Sequence, residues 1–270
     1  LYNLRDYKGL KSFIKIVKKD PELDKWLVCD IEHYAALIEI QFHKRLDKGK
    51  LLLSKCIKNL LYENDNHYLS VKSRIFTTFA NHYSSDKNSK DYINESIEIK
   101  KQLSDKPGLA RSYGSLSRLL FTENPISNET LEATKKWFII NEENKDIFGI
   151  IFSRNFLGKI YFNIHKTNQS KDDNLKNSKQ QYNENIKLLN NKIDPGSQIQ
   201  IFTSFADLME IAKFEKDENT FLDLSSKLYN LLNDFEKIEN KFFIDIFKNA
   251  FSSKFKNAVY SKQNIKEIFN

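Results

Sequence analysis

The sequence predicts an all-α fold, an α-solenoid of about six antiparallel helix hairpins. Three observations carry this. Glycine (7) and proline (4) are scarce in 270 residues, so the many tight turns of an all-β chain are missing. Apolar residues recur at steps of three and four, which places them on one face of a helix. One short pattern recurs at intervals of about forty residues, the mark of a repeat architecture.

Taken in order, the elements follow from that pattern. The first expected helix, 5–19, opens at Asp6-Tyr7 and continues through Gly9, Phe13 and Ile16 towards Pro21. The pair 22–46 and 48–63 carries a weak copy, Tyr34-x-x-Leu37-Ile38-x-x-Gln41. The pair 67–85 and 88–104 carries Phe76-x-x-Phe79-Ala80-x-x-Tyr83, then Tyr92-Ile93-x-x-Ser96-Ile97-x-Ile99. The pair 107–122 and 128–144 carries Tyr113-x-x-Leu116-Ser117-x-x-Leu120, then Leu131, Ala133, Trp137, Phe138 and Ile140. The pair 146–165 and 173–191 carries Arg154-x-x-Leu157-Gly158-x-x-Tyr161, then Tyr182, Ile186, Leu188 and Leu189. The pair 197–215 and 218–237 carries Phe202-x-x-Phe205-Ala206-x-x-Met209, then Phe221, Leu222, Leu224, Leu228 and Leu231. A last helix is expected at 240–258. The large members of the five pairs lie at 37, 79, 116, 157 and 205, with spacings of 42, 37, 41 and 48. In four of the five a small residue (Ala80, Ser117, Gly158 or Ala206) follows the large one and lets a partner helix approach closely, so Gly158 and Ala206 are expected where paired helices cross.

These motifs resemble the tetratricopeptide repeat, whose unit of ~34 residues carries a Trp-x-x-Leu-Gly-x-x-Tyr pattern. Leu157-Gly158-x-x-Tyr161 is the nearest match, and the spacings are closer to the longer repeats of bacterial arrays. The run from Ser96 to Ala110 looks like the junction between two hairpins of such an array. The resemblance implies a right-handed superhelix over 1–260 as a single domain, with 261–270 as a C-terminal tail. Arg154 departs from the pattern, because the family fills that position with a bulky apolar residue. The insertion around Asn168-Gln169-Ser170-Lys171-Asp172-Asp173-Asn174 lengthens one hairpin.

Charge is uneven along the chain. The net charge is +7, with 13 Lys and Arg against 8 Asp and Glu in residues 1–60, and 6 against 2 in residues 241–270. The basic excess therefore lies at the ends, where neighbouring domains or subunits would attach. The chain has no apolar run of the ~20 residues that a membrane span needs, and no charged-then-apolar leader. The only cysteines, Cys29 and Cys56, read as small buried hydrophobes in a reducing compartment, which points to the cytoplasm. Leu1 stands where a repeat is already under way and the only Met is Met209, so the chain is expected to be the C-terminal part of a larger protein.

No catalytic or cofactor motif is present. The five histidines (His33, His43, His67, His82 and His165) form no His-Glu-x-x-His, and there is no Cys-x-x-Cys, so no metal is expected. No Gly-rich phosphate loop occurs. Glu142-Glu143 and Asp172-Asp173 read as solvated charges rather than an acid–base pair. The chain is therefore expected to be non-enzymatic and to need no cofactor.

The resemblance implies where binding would occur. In the family, positions two before and two after the large residue line a concave face. Here those include Thr77, Asn81, Arg118, Asn155, Lys159 and Asp207, with Arg74 and Arg111 one turn back. Asn offers a donor and an acceptor to a peptide amide, and Arg gives a planar fork to a carboxylate. The expected partner is a protein or an extended peptide, acidic in character, with this chain as the sensor or docking part of a bacterial regulator. A nucleic-acid-contacting solenoid, or the ligand-binding part of a transcription regulator, is the alternative. It would need basic residues interleaved with aromatics along one face.

Overall fold

A computed structural model describes residues 7–17, 22–167, 172–188 and 194–236. These residues form eleven α-helices and no strand. They are α1 (Tyr7–Val17), α2 (Lys25–Gln41), α3 (Leu46–Asn59), α4 (Asn66–His82), α5 (Ser89–Gln102), α6 (Lys106–Glu123), α7 (Asn128–Glu143), α8 (Ile147–Thr167), α9 (Asp172–Lys187), α10 (Pro195–Glu215) and α11 (Glu218–Glu236). The helix order matches the expected one, and α2–α3, α4–α5, α8–α9 and α10–α11 pack as expected hairpins, whereas the expected pair α6–α7 is divided between two compact units. The helix expected at 240–258, the 261–270 tail and the basic stretch 241–270 lie outside the described residues.

Helix starts carry a second periodic signal. Asp24, Asp65, Asp105, Asp146 and Asp194 each stand directly before a helix that bears a copy of the pair, the weak one in α2 and the strong ones in α4, α6, α8 and α10. Their spacings are 41, 40, 41 and 48, close to those of the pairs themselves. Each aspartate's carbonyl accepts the first helical bond, from Val28, Leu69, Leu109, Ile150 and Gln198 respectively. In four of them the carboxylate also caps a free backbone N–H, at His67 (2.8 Å), Gly108 (2.9 Å), Gly149 (3.0 Å) and Ser197 (3.0 Å). Such a cap satisfies an orphan donor and places negative charge at the positive end of the helix. At Gly108 and Gly149 an added Cβ would fall 1.9 Å and 2.7 Å from the capping carboxylate, so a side chain there would displace the cap.

The turns before α6, α8 and α11 share one geometry. Ser104, Lys145 and Lys216 adopt left-handed φ values of 54°, 54° and 59°. The following aspartate N–H then donates back five residues, Asp105 to Lys100, Asp146 to Asn141 and Asp217 to Ala212. This closes the preceding helix in the manner of a Schellman motif, and the same aspartate starts the next one.

Packing divides the helices into two compact units, Leu1–Glu123 and Asn124–Asn270. In the first unit α2 packs on α3 and α4 on α5, while α2, α4 and α6 also touch in succession. The core joins Cys29, Ala36, Ile40, Leu53, Cys56, Leu60, Ile75, Phe76 and Phe79. Burying each such large side chain stabilises by about 1.5–3 kcal/mol. Phe76 stacks on Tyr92 at 4.7 Å, and Phe79 meets the same ring edge-on at 5.2 Å. The helix α1 packs on α2 through Ile14 and Val17. Phe13 and Ile16 are the apolar residues that the repeat spacing marks in this helix. They are 50% and 69% exposed, because the packed face follows Ile14 and Val17 instead.

In the second unit α7 packs on α8, α8 on α9, and α10 on both α8 and α11. Trp137 of α7 meets Phe152 of α8 edge-on at 5.3 Å. Gly158 of α8 lies against the ring of Tyr182 on α9: an added Cβ would sit 2.5 Å from the ring. The Gly158 carbonyl there accepts a bond from Ser178 Oγ at 2.8 Å. The small residues of the four strong copies, Ala80, Ser117, Gly158 and Ala206, are all buried. Arg154, the departure from the family pattern, lays its guanidinium over Phe138 at 5.2 Å and reaches Glu142 at 3.5 Å. Its flat cation does the covering that an apolar side chain does elsewhere.

Candidate functional site

The residues expected on the groove divide between the two units. Arg74, Thr77, Asn81, Arg111 and Arg118 belong to the first, and Asn155, Lys159 and Asp207 to the second. Five of the eight reach the surface, and three do not.

In the first unit, Asn81 of α4 and Arg118 of α6 meet directly. Arg118 Nη2 donates to Asn81 Oδ1 at 2.9 Å, and also reaches Ser115 Oγ at 3.4 Å. Asn81 is exposed and Arg118 half-buried, and burial lowers the guanidinium pKa without discharging it. One step along, Arg74 of α4 bridges to Asp30 of α2 at 3.1 Å. Asp30 also approaches His33 Nδ1 at 3.9 Å, and His33 Nε2 bonds Thr78 Oγ1 at 2.8 Å. Burial alone would push the Asp30 carboxyl up, but His33 and Arg74 outweigh it and hold the pKa below its usual value. His33 shifts down, chiefly through burial. Arg111 is exposed on α6. The helices α2, α4 and α6 thus carry a polar strip of Asp30, Arg74, Asn81 and Arg118 whose members bridge one helix to the next. His82, on α4, is half-buried and its pKa is lowered by burial.

Thr77 is not on that strip. It is buried, and its hydroxyl bonds Ser96 Oγ at 2.9 Å, Ser112 Oγ at 3.1 Å and the Ser73 carbonyl at 2.9 Å. Lys100 completes the cluster. It is 2% exposed and donates to Thr77 Oγ1 at 2.8 Å and Ser112 Oγ at 2.7 Å. Burial, with Arg111 and Arg74 adding to it and Asp105 opposing, pushes its pKa down to about 8.

In the second unit Lys159 is exposed, whereas Asn155 and Asp207 are buried. Asn155 Nδ2 donates to the Gln200 carbonyl at 2.7 Å, and its Oδ1 accepts from Ser204 Oγ at 2.6 Å and Asn185 Nδ2 at 3.0 Å. This amide ties α8, α9 and α10 together, so its donor and acceptor are spent inside the unit rather than offered to a peptide. Asp207 lies beside Tyr182, whose phenol is raised well above its usual range by burial first and by the negative charges of Asp207 and Glu210 next. The physical reason is common to all three residues. Each polar position on one helix is met by a serine, tyrosine or asparagine of a neighbour, a pairing that no single-helix periodicity displays.

Among the described residues no group of three or more His, Cys, Asp or Glu side chains is placed to hold a metal ion. No described helix is long and apolar enough to cross a membrane. Compared with known proteins, the chain matches no family model and no curated sequence.

Proposed function

We propose that the chain is a non-enzymatic binding scaffold, a tetratricopeptide-like α-solenoid of right-handed twist that takes an extended acidic peptide or protein tail. Two features support the repeat reading. The large–small pairs and the aspartate caps recur with nearly the same period, and the pair-bearing helices touch one another within each unit. The observation that carries the binding reading is the Asn81–Arg118 contact. An amide holds the guanidinium in a fixed plane at the surface, which lowers the ordering cost of a two-point contact with an incoming carboxylate. In a larger bacterial regulator such a surface would serve as the sensor or docking part.

The test is a titration with a synthetic poly-glutamate peptide at rising salt. Wild type is expected to bind with an affinity that falls as salt shortens the Debye length from about 10 Å at 0.1 M to about 3 Å at 1 M. Arg118→Ala is expected to weaken binding about tenfold, near 1.4 kcal/mol. Arg118→Lys is expected to recover only part of it, since the second parallel bond is lost. Arg118→Ala binding as tightly as wild type would remove the site. Tighter binding of a nucleic acid than of the peptide would favour the nucleic-acid reading instead.

A further inference from the structure

Only two cysteines occur in 270 residues, and the fold brings them together. Cys29 lies on α2 and Cys56 on α3, the two arms of one hairpin. Both are 0% exposed and both belong to the same packed cluster. Cys56 Sγ lies 3.7 Å from the Cys29 carbonyl and 3.5 Å from Glu32 Oε2. The two thiols are within hydrogen-bonding reach of each other, which lowers the pKa of Cys29 and raises that of Cys56. The Cys56 thiol is held by its donation to Glu32, which leaves Cys29 as the attacking sulfur. Glu32 stands ready to accept the Cys56 proton. Its other oxygen takes a bond from Lys55 Nζ at 3.0 Å, and the Lys55 side chain is 60% exposed. A chain of hydrogen bonds, Lys55 to Glu32 to Cys56, therefore links the Cys56 thiol to an exposed ammonium.

We propose that Cys29 and Cys56 are a redox pair that closes to an intramolecular disulfide with hydrogen peroxide as oxidant, fastening α2 to α3. The Cys29 thiolate attacks one peroxide oxygen. An S–O bond forms, the O–O bond breaks, and the departing hydroxide takes up a proton to leave as water. Cys56 then attacks the Cys29 sulfur of the resulting sulfenic acid. The S–S bond forms, the S–O bond breaks, and the Cys56 proton passes by way of Glu32 to the leaving hydroxide. Two thiols and one peroxide give one disulfide and two waters. The new bond closes a loop spanning the α2–α3 turn and restricts the unfolded chain, so the oxidised form unfolds at a higher temperature than the reduced one.

The test uses the whole wild-type chain, treated with hydrogen peroxide, denatured, alkylated and weighed. The expected product is monomeric, lighter by two hydrogens and free of alkyl label. Proteolysis then yields a cross-linked peptide containing Cys29 and Cys56, and dithiothreitol restores both labels. The thermal midpoint of the oxidised form is expected to lie several degrees above that of the reduced form. Slower closure is expected in Glu32→Gln, which keeps the shape and the Lys55 contact but loses the base. Uptake of two labels after peroxide treatment would overturn the proposal, as would a sulfinic acid on either sulfur without a bridge, or a bridge formed only between two chains.

Discussion

Lys100 shows how far a single side chain can be predicted. Its ammonium is buried against two hydroxyls, and its pKa of about 8 stands below the ordinary lysine value of 10.5. The sign follows from proton binding. Between those two values the folded chain holds a neutral amine while the unfolded chain stays protonated, so unfolding takes up a proton and stability rises with pH. Below about pH 8 the full penalty applies; it is relieved progressively towards 10.5 and amounts to roughly 3 kcal/mol at most. Lys100→Met is therefore expected to flatten the alkaline rise in thermal midpoint relative to wild type. An unchanged pH profile would show that this amine is not the titrating group. Gly158 makes a simpler case. With the Tyr182 ring 2.5 Å from an added Cβ, Gly158→Leu is expected to cost about 1–3 kcal/mol through overpacking, readable as a lower denaturant midpoint. The need for a small residue at 158 was legible in the sequence, because a glycine sat beside Leu157 at repeat spacing. The burial of Thr77, Asn155 and Asp207 was not. Polar residues at inward positions look alike in sequence whether solvent or a neighbouring Ser96, Ser204 or Tyr182 meets them.

Helix boundaries were the most legible feature at the scale of the element. Apolar periodicity placed α2 to α11 in order, and the described ends fall within a few residues of the expected ones except at the α2 C-terminus, where the expected span ran on to 46. There Lys44 turns left-handed and ends the helix without the glycine or proline that would have marked it. The aspartate caps were equally visible in the sequence but carry no apolar signal, so a search for hydrophobic pattern passes over them. Their worth can be measured. Asp146→Ala removes the bond to Gly149 N–H and is expected to cost about 1 kcal/mol. Lys145→Gly, one residue earlier, relieves a left-handed φ that disfavours a side chain and is expected to stabilise by up to about 1 kcal/mol. Opposite shifts in thermal midpoint from two adjacent substitutions would establish this turn as both a stop and a start. Shifts of the same sign would contradict it. The juxtaposition of Cys29 and Cys56 depends on how α2 and α3 align within their hairpin, and sequence spacing alone does not give that register.

For the whole molecule, two periodic signals of independent chemistry, apolar pairs and capping carboxylates, repeat along one chain. They place α2, α4 and α6 side by side in the first unit, with α8 beside α10 in the second. The polar strip across α2, α4 and α6 is where the repeat and the proposed function meet. The central claim is that an acidic partner lies across these helices and not across their hairpin mates. Amide hydrogen exchange with and without saturating poly-glutamate peptide tests it most directly. The account predicts slower exchange in α4 and α6, centred on Asn81 and Arg118, with α3 and α5 unchanged, and loss of that protection in Arg118→Ala. Protection confined to α3 and α5, or peptide binding that leaves α4 and α6 untouched, would contradict it.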